Sequence, residues 1–536
     1  MRASRAAVNA CCASGLLALL LSIDVVAAEL PPRNPFLADS NYAIGHGDSA
    51  QQDAVAVAGP ANPGARLQPD EIQYAPVGPA HFGASTSGPY PGGQRVYWSN
   101  GLDRIVKIDY GTYRVLATYW LPGARHWSEA EADTSIASFD ESNQGAFAIW
   151  HAFREGMKLR DLSSVYTLLD RDNTYFIADR SGTITAYGDA DPKDPESPII
   201  VKGSTKLPEG VSGLTVGMNM SFDGWLIVPT EHGYVAAIKR DFSQTRVVRM
   251  LHSEGAEKRE HEGGYGWIRN SLAIDSAGGI YIASQDHMHK LVWTGDRLST
   301  DAKDGAWSAR YQNDLGHGTG ATPTLMGFCA EDRFVVITDG EPRMNLVLFW
   351  RDAIPPGWVP PNGAPDARIA GMLSVDMGDP GLAKIQSEQS VVVSGYGALV
   401  VNNMPRNVPW YLPERAQTLL ISYLGSSPRY QPYGVQKFEW DPVARGLKQA
   451  WVNREVSSPS TVPIASYGSG RVYLIGAREN RWTLEAIDWL TGRSVYHTII
   501  GGQRYNPLFS GTLIDDYGRI HFGTPWGRSR LVPSRR

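Results

Sequence analysis

The strongest constraint on this chain is a short unit of strand, Asp–Gly turn and strand that recurs every fifty or so residues, a spacing typical of repeat architectures. Its copies begin at the following positions: Tyr166, Met218, Ser271, Thr324, Gln389 and Val462. Each unit predicts a small antiparallel sheet that buries its faces only against a neighbouring copy. In the turns, Asp caps with its side chain and Gly supplies a positive φ, so Asp170, Asp223 and Asp275 are interpreted as turn residues.

Radial stacking of such sheets makes a β-propeller, and the repeats predict an all-β, seven-bladed propeller over residues 93–536. The closing blade is expected to combine strands from both ends of the chain, at residues 95–98, 105–109, 115–120 and 511–522. A ring of eight blades, in which the N-terminal arm supplies a blade, is also compatible with the repeats. Residues 129–159 carry helical periodicity and predict one or two short helices.

The N-terminal residues 1–28 have the layout of a cleavable secretory signal peptide. Arg2 and Arg5 precede an apolar stretch that ends near Ala28. The unbroken apolar part is shorter than the roughly 20 residues that a membrane span needs, and no later segment is long and apolar enough. We therefore expect a periplasmic or secreted protein. Residues 29–92, rich in Pro, Gly, Ala and Gln, predict an extended N-terminal arm.

Net charge limits the expected partners, and cysteine content limits the expected disulfides. The formal net charge is −5 and the chain has no dense Lys/Arg run, which argues against nucleic acid. After removal of the signal peptide only Cys329 is left, so no internal disulfide is expected. The expected partner is a small-molecule substrate or ligand, with another protein as the alternative.

Two stretches resemble repeats of known propeller families. Residues 471–492, with Leu484-Glu-Ala-Ile-Asp-Trp-Leu-Thr-Gly492, resemble the repeat of quinoprotein-like propellers. That family implies pyrroloquinoline quinone or haem with characteristic cysteines, which the mature chain lacks, so neither cofactor is expected. Residues 270–283 resemble the repeat of gluconolactonase and strictosidine-synthase-like propellers. That resemblance implies calcium on the channel axis, with Asn270 in the place of one ligand.

The loops that lead into the inner strands, and those that join second and third strands, share one face and concentrate His, Glu and Asn. Convergent polar groups around a pore are typical of a small-molecule or metal site. Oxygen ligands of the kind that calcium prefers are Glu231, Glu388, Asn270 and Asn402. His287 and His289 are two residues apart on a strand, point the same way and could chelate zinc or copper. The alternative for each residue is an ordinary hydrogen bond within its loop.

The leading functional hypothesis is metal-assisted hydrolysis or isomerisation of a small organic substrate, as in a lactonase or esterase. A bound cation would polarise the carbonyl group, and His232, His317 and Arg269 are the candidate catalytic residues. One alternative is a non-catalytic binding or interaction platform. Another is a copper-dependent oxidoreductase that uses the four rim histidines His232, His287, His289 and His317. A serine nucleophile is poorly supported, because no Gly-x-Ser-x-Gly elbow lies between a strand and a helix.

Two longer segments are predicted to cover this face as lids. They are the Pro-rich residues 354–365 and residues 404–413. Their length favours a buried apolar substrate over a large polymer.

Overall fold

The structure is a computed structural model that describes residues 30–143, 145–159, 166–259, 265–328 and 330–533. The expected signal peptide and Cys329 lie outside the described residues. Within the described ranges the strands form eight small sheets, which are the blades of a propeller. The predicted all-β propeller is therefore confirmed, and it has eight blades, the alternative to the expected seven.

Two strands precede the first blade: β1 (Ala54–Val55) and β2 (Ile72–Ala75). Blade one consists of β3 (Ser85–Thr86), β4 (Val96–Asn100), β5 (Arg104–Asp109) and β6 (Val115–Trp120). Blade two consists of β7 (Thr167–Leu169), β8 (Tyr175–Ala178), β9 (Thr183–Asp189) and β10 (Ile199–Lys206). Blade three consists of β11 (Asn219–Met220), β12 (Trp225–Pro229), β13 (Tyr234–Lys239) and β14 (Thr245–Arg249). Blade four consists of β15 (Ala273–Ile274), β16 (Gly279–Ala283), β17 (His287–Trp293), β18 (Leu298–Ser299) and β19 (Trp307–Arg310).

The second half of the ring follows the same order from the inner to the outer strand. Blade five consists of β20 (Thr324–Met326), β21 (Phe334–Thr338), β22 (Asn345–Trp350) and β23 (Ile369–Ser374). Blade six consists of β24 (Val392–Ser394), β25 (Gly397–Val401), β26 (Val435–Asp441) and β27 (Gly446–Asn453). Blade seven consists of β28 (Ile464–Ser466), β29 (Arg471–Arg478), β30 (Arg481–Asp488) and β31 (Ser494–Gly501). Blade eight consists of β32 (Leu513–Ile514), β33 (Ile520–Thr524) and β34 (Gly527–Leu531), with β2 as its outer strand.

The ring is closed by strands from both ends of the chain, as predicted, but with different strands. β2 pairs antiparallel with β34, so the N-terminal arm completes blade eight. Residues 95–120 do not contribute to that blade, because the arm also supplies β3 and makes blade one complete on its own. The expected seventh blade is therefore two blades, which raises the number from seven to eight.

The Asp–Gly turns cap the inner hairpins where the sequence predicts them. Asp170 Oδ1 accepts hydrogen bonds from the backbone N–H of Asp172 (2.9 Å) and Thr174 (2.8 Å). Asp275 Oδ1 does the same for Ala277 and Gly279, at 2.9 Å each. Asp223 differs, because its carboxylate accepts from the indole N–H of Trp293 at 2.8 Å and so ties blade three to blade four.

Within the described part of the chain, four α-helices lie in the connections: α1 (Glu129–Ser142), α2 (Ala148–Lys158), α3 (Ala256–Arg259) and α4 (Glu414–Leu424). The helices predicted within residues 129–159 are thus confirmed as α1 and α2. A capping box starts α1, since Ser128 accepts from the N–H of Glu131 and the Glu131 carboxylate accepts from the N–H of Ser128. No helix among the described residues is long and apolar enough to cross a membrane.

The connections place α1, α2 and α4 on one face, which we call the upper face. α1 and α2 lie between blades one and two, and α4 lies between the second and third strands of blade six. Residues 404–413 lead into α4 and share this face, as expected. Residues 354–365 join the third and fourth strands of blade five, and such connections lie on the opposite face. The segment nevertheless reaches the rim, because the Gly363 carbonyl oxygen accepts from Gln312 Nε2 at 3.1 Å and Pro365 borders a polar cavity together with His317. Its role as a lid stays a prediction.

The channel of the propeller holds residues 37–55, which we call the axial segment. Its carbonyl oxygens accept hydrogen bonds from inner-strand N–H groups around the ring. These bonds join Leu169 to Ala43 (2.8 Å), Ile274 to Ser49 (2.7 Å), Leu325 to Ala50 (3.0 Å), Val393 to Gln52 (3.0 Å) and Ala465 to Asp53 (2.8 Å). The segment ends in β1, which pairs parallel with β28 of blade seven. The first part of the arm therefore fills the channel, and its later part lies along the outer strand of blade seven and supplies that of blade eight.

A buried arginine joins the closing blade to blade one and to its own outer strand. Arg530 on β34 donates to the carbonyl oxygens of Tyr110 (2.6 Å) and Gly111 (2.7 Å) in blade one and to Gln73 Oε1 on β2 (2.6 Å). The residue is 1% exposed. A forked guanidinium thus holds three chain segments that are distant in sequence.

We expect Arg530→Met to lower the free energy of unfolding by roughly 3 kcal/mol, because hydrogen bonds from a charged group contribute about 1.5–3 kcal/mol each. Urea denaturation followed by tryptophan fluorescence measures the change. The matched control is Arg493→Met at an exposed turn, which should alter stability little. Equal losses in the two variants would contradict this role for Arg530.

Candidate functional site

A cavity of about 570 Å³ lies on the propeller axis between the axial segment and the helices of the upper face. We call it the capped cavity. Tyr42, Gly45 and His46 of the axial segment form its floor. Residues of α2 and α4 form its roof, and the loops that lead into seven of the inner strands form its walls.

One half of this lining is apolar. Side chains of α2, α4 and the loops of blades one, seven and eight contribute to it: Phe82, Ala84, Ala152, Phe153, Met157, Leu420, Val462, Leu508 and Leu513. Ala152, Leu420 and Leu508 also belong to one buried cluster that packs α2 against α4. The roof is therefore held by the same kind of contacts as the core of the protein.

The other half is polar and comes from the axial segment and from blades two, four, five and six. Its polar side chains are the following: His46, Tyr166, Thr167, Tyr265, Thr322, Glu388, Gln389 and Ser390. Gly320 stands in the same wall, and a Cβ there would lie 2.1 Å from the carbonyl oxygen of Ser387. The glycine thus lets the loops of blades five and six approach each other, as the glycine-rich stretch from residue 316 to 323 suggests.

Two polar atoms in the lining have no hydrogen-bond partner among the described residues. They are Gln389 Nε2 and the Tyr423 hydroxyl group. Gln389 is 2% exposed and Tyr423 is 5% exposed. A buried polar group without a partner costs free energy, and both atoms belong to residues of the cavity lining.

The floor of the cavity contains a buried histidine–carboxylate pair. His46 Nδ1 lies 2.7 Å from Asp53 Oδ2, and the other ring nitrogen, Nε2, lies 3.5 Å from Ser390 Oγ. Burial by itself would lower the pKa of His46, but the nearby Asp53 carboxylate outweighs it and raises the pKa above its usual value. Burial also raises the pKa of Asp53.

The wall contains an ion pair between two predicted site residues. Arg269 Nη2 donates to both oxygens of Glu388, at 2.7 and 3.0 Å, and the guanidinium lies 3.9 Å from the ring centre of Tyr265. Arg269 Nη1 also donates to the carbonyl oxygen of His317 at 3.2 Å. Burial lowers the pKa of His317, and the positive charge of Arg269 lowers it further. Arg269, Glu388 and His317 are thus brought together.

Tyr265 also borders a second, more polar cavity of about 730 Å³ over blades four and five. His317 and Asp286 line this second cavity. Of the nine predicted site residues, Glu388 lines the capped cavity and His317 lines the second one.

The predicted calcium ligands engage separate partners. Asn270 Nδ2 donates to the carbonyl oxygen of Thr319 (3.0 Å), and Asn402 Nδ2 donates to that of Tyr433 (3.2 Å). Glu231 Oε1 accepts from the N–H of Leu214 at 3.1 Å, and the Glu388 carboxylate is paired with Arg269. These contacts use the amide nitrogens of Asn270 and Asn402, and calcium binding by the four residues stays a prediction.

The predicted zinc or copper histidines lie close together but use their nitrogens elsewhere. The rings of His287 and His289 are 5.8 Å apart, on the same side of β17 as predicted. His287 Nδ1 lies 2.9 Å from Asp286 Oδ1, and His289 Nε2 lies 3.0 Å from Ser284 Oγ. His232 Nδ1 lies 2.9 Å from Ser212 Oγ. Burial lowers the pKa of His289 to about 3, so this ring is neutral at physiological pH.

The described residues contain no group of three or more His, Cys, Asp and Glu side chains placed to hold a metal ion. Binding of calcium, zinc or copper therefore stays a prediction from the sequence. The roles assigned to His232, His317 and Arg269 stay predictions as well.

Sequence reasoning did not select His46, Asp53 or Ser390 for function. The axial segment has no strand or helix periodicity, and His46 and Ser390 are 344 residues apart in the chain. One signal was available: Tyr42-Ala-Ile-Gly-His-Gly-Asp-Ser-Ala-Gln-Gln-Asp53 places His and two Asp among small residues.

Comparisons with known proteins add a relative and several structures of similar shape. No protein-family model matches the chain. A protein of Archaeoglobus fulgidus, described as uncharacterized, is 32% identical over 517 residues, which covers 94% of this chain and 89% of the relative. The Dos1 propeller is 9% identical with a TM-score of 0.47 and covers 86% of this chain and 93% of its own. BamB from Moraxella catarrhalis is 11% identical with a TM-score of 0.43 and covers 87% and 94% respectively.

The ion pair in the wall predicts opposite pKa changes at His317. Arg269→Gln removes a positive charge and should raise the pKa of His317, whereas Glu388→Gln removes a negative charge and should lower it. NMR titration of the His317 ring proton on Cε1 measures both. The double variant restores neutrality and should give a pKa between those of the single variants. Shifts of the same sign in both single variants would contradict this electrostatic coupling.

Proposed function

The chain belongs to the same family as the Archaeoglobus fulgidus protein, and we propose that it is an exported propeller that binds a small, mainly apolar organic molecule in the capped cavity. The observation that carries the proposal is a cavity of about 570 Å³ with one apolar half and two unpartnered buried polar atoms. Ligand pockets typically have volumes of roughly 300–1,000 Å³ and an apolar lining with a few placed polar groups.

The division of the lining indicates how such a molecule lies. Its apolar body packs against α2, α4 and the loops of blades seven, eight and one. Its polar end lies near Gln389 and the Arg269–Glu388 pair. A carbonyl or similar acceptor group fits this end of the cavity.

Export rests on the N-terminal sequence. Residues 1–28 have the arrangement of a signal peptide, and the proposal places the mature protein in the periplasm or outside the cell. The N-terminal sequence of the purified mature protein tests this, with cleavage near Ala28 as the expected result.

A platform for another protein is the second candidate. The segment before α4 exposes two adjacent aromatic residues, Trp410 at 94% and Tyr411 at 59%. Large exposed aromatic side chains are enriched in protein interfaces. Under this reading Trp410→Ala would weaken association with the partner and leave ligand binding unchanged.

Filling the cavity should prevent ligand binding. We expect the wild-type protein to bind the apolar fluorescent probe N-phenyl-1-naphthylamine with one-to-one stoichiometry and a blue-shifted emission. Ala152→Phe on α2 places a ring in the apolar half and should weaken this binding roughly tenfold or more, about 1.4 kcal/mol.

The matched control is Ala130→Phe at an exposed position of α1, which should bind the probe like the wild type. Circular dichroism shows whether both variants are folded. Equal affinity of Ala152→Phe and wild type, or no binding by the wild type, would contradict a ligand site in the capped cavity.

A further inference from the structure

We propose that Ser390, His46 and Asp53 form a nucleophilic catalytic site that hydrolyses an ester bond of the molecule bound in the capped cavity. This inference rests on the proposed ligand site. The three residues form a continuous chain of contacts from the buried floor to the cavity: Asp53 Oδ2 to His46 Nδ1 at 2.7 Å, and His46 Nε2 to Ser390 Oγ at 3.5 Å.

The histidine is oriented to act as a base. Asp53 is 1% exposed, and its carboxylate accepts a hydrogen bond from the ring at Nδ1. This fixes the tautomer that leaves a lone pair on Nε2, the nitrogen nearest to the serine hydroxyl group. A distance of 3.5 Å is long for a hydrogen bond, and such contacts between a nucleophile and its base commonly shorten when substrate binds.

The serine lies where the substrate would be. Ser390 and His46 both line the capped cavity. Ser390 Oγ accepts a hydrogen bond from the N–H of Thr322 at 3.2 Å, which holds the oxygen and leaves its proton for His46. The preceding residue, Gln389, has the unpartnered Nε2, and rotation of its side chain towards the cavity would let it donate to the oxygen of the carbonyl group under attack.

The reaction balances without a further reagent. Ser390 Oγ forms a bond to the ester carbonyl carbon and its proton moves to His46 Nε2. The bond from that carbon to the alcohol oxygen then breaks, and the alcohol leaves with the proton from His46. Water attacks the acyl group, gives a proton to His46 and a hydroxyl group to the acid product, and the Ser390 oxygen leaves and takes the proton back. The net reaction is an ester plus water to an acid plus an alcohol.

The backbone at the two axial residues is unusual. His46 and Asp53 have φ values of 63° and 52°, in the left-handed region that non-glycine residues rarely adopt. A backbone hydrogen bond from the N–H of Asp53 to the carbonyl oxygen of His46, at 3.1 Å, ties the two residues together. Asparagine tolerates this region better than most residues, so His46→Asn and Asp53→Asn are the least disruptive variants.

The test combines covalent labelling with turnover on the full-length mature protein. A fluorophosphonate should add one adduct to the wild type, located on Ser390 by peptide mass mapping. The wild type should hydrolyse 4-nitrophenyl hexanoate, and Ser390→Ala and His46→Asn should each lower kcat/KM by roughly 1,000-fold. The control Ser457→Ala removes a buried hydroxyl group outside the cavity and should be unchanged in both measurements.

Asp53 is a positioning residue, and its test is the pH profile. The titratable groups around His46 are Tyr42, Asp48 and Asp53 on its own segment, Tyr166 before blade two and Glu388 before blade six. In the wild type, kcat should rise with pH as His46 loses its proton. Asp53→Asn should lower kcat with little change in KM and move the acid limb to lower pH, because the carboxylate that raises the pKa of His46 is gone.

Binding of N-phenyl-1-naphthylamine separates the two proposals. If the wild type binds the probe but takes up no fluorophosphonate, or takes it up at another residue, the catalytic inference is wrong and the ligand site stands. Undiminished hydrolysis by Ser390→Ala has the same meaning. If the wild type binds no probe, the ligand site itself is wrong.

Discussion

The rest of the structure depends on hydrogen bonds between the axial segment and the innermost strands. Each blade of a propeller ends, at the axis, in a strand edge whose backbone groups need partners. Here the carbonyl oxygens of Ala43, Ser49, Ala50, Gln52 and Asp53 accept from the inner strands of blades two, four, five, six and seven. The arm thereby joins blades that do not contact each other, and it fills a channel that eight blades leave wide.

The axial segment also carries titratable side chains into the interior of the propeller. The inner strands are short and mostly apolar, so the polar groups of the floor come from the axial segment. Asp48 shows the effect, since burial raises its pKa to about 7 although its carboxylate accepts from the N–H of Ala50 at 2.6 Å. The folded state therefore binds the Asp48 proton more tightly than the unfolded state does. For this reason the free energy of unfolding falls as the pH rises from about 4 towards 7. Burial of the Asp48 carboxyl group thus lowers the free energy of unfolding at neutral pH. The backbone hydrogen bonds between the axial segment and the inner strands offset that loss.

The repeats predicted the features that depend on local pattern: the propeller, the turns at Asp170 and Asp275, and the helices within residues 129–159. Strands of two to four residues, such as β1, β2 and β3, are too short to carry a period, which explains the missing eighth blade. The site was harder to predict because it is defined by contacts across the axis. Glu388 was found by its loop, whereas His46 and Ser390 belong to one site only in three dimensions. The missing Gly-x-Ser-x-Gly motif argues against a nucleophilic serine on a turn between a strand and a helix. It does not argue against a nucleophilic serine in a loop between two blades.

Three separate parts of the chain build the capped cavity. The repeats provide the walls, the insertions around α2 and α4 provide the apolar roof, and the arm provides the floor with His46 and Asp53. Because the axial segment bonds to the inner strands through its backbone, its side chains can change without loss of those hydrogen bonds. A relative with the same repeats but other residues at positions 42–55 would keep the walls and lose the histidine–carboxylate pair. The proposed chemistry therefore depends on His46 and Asp53 of the arm, whereas the size of the ligand depends on α2 and α4 in the roof.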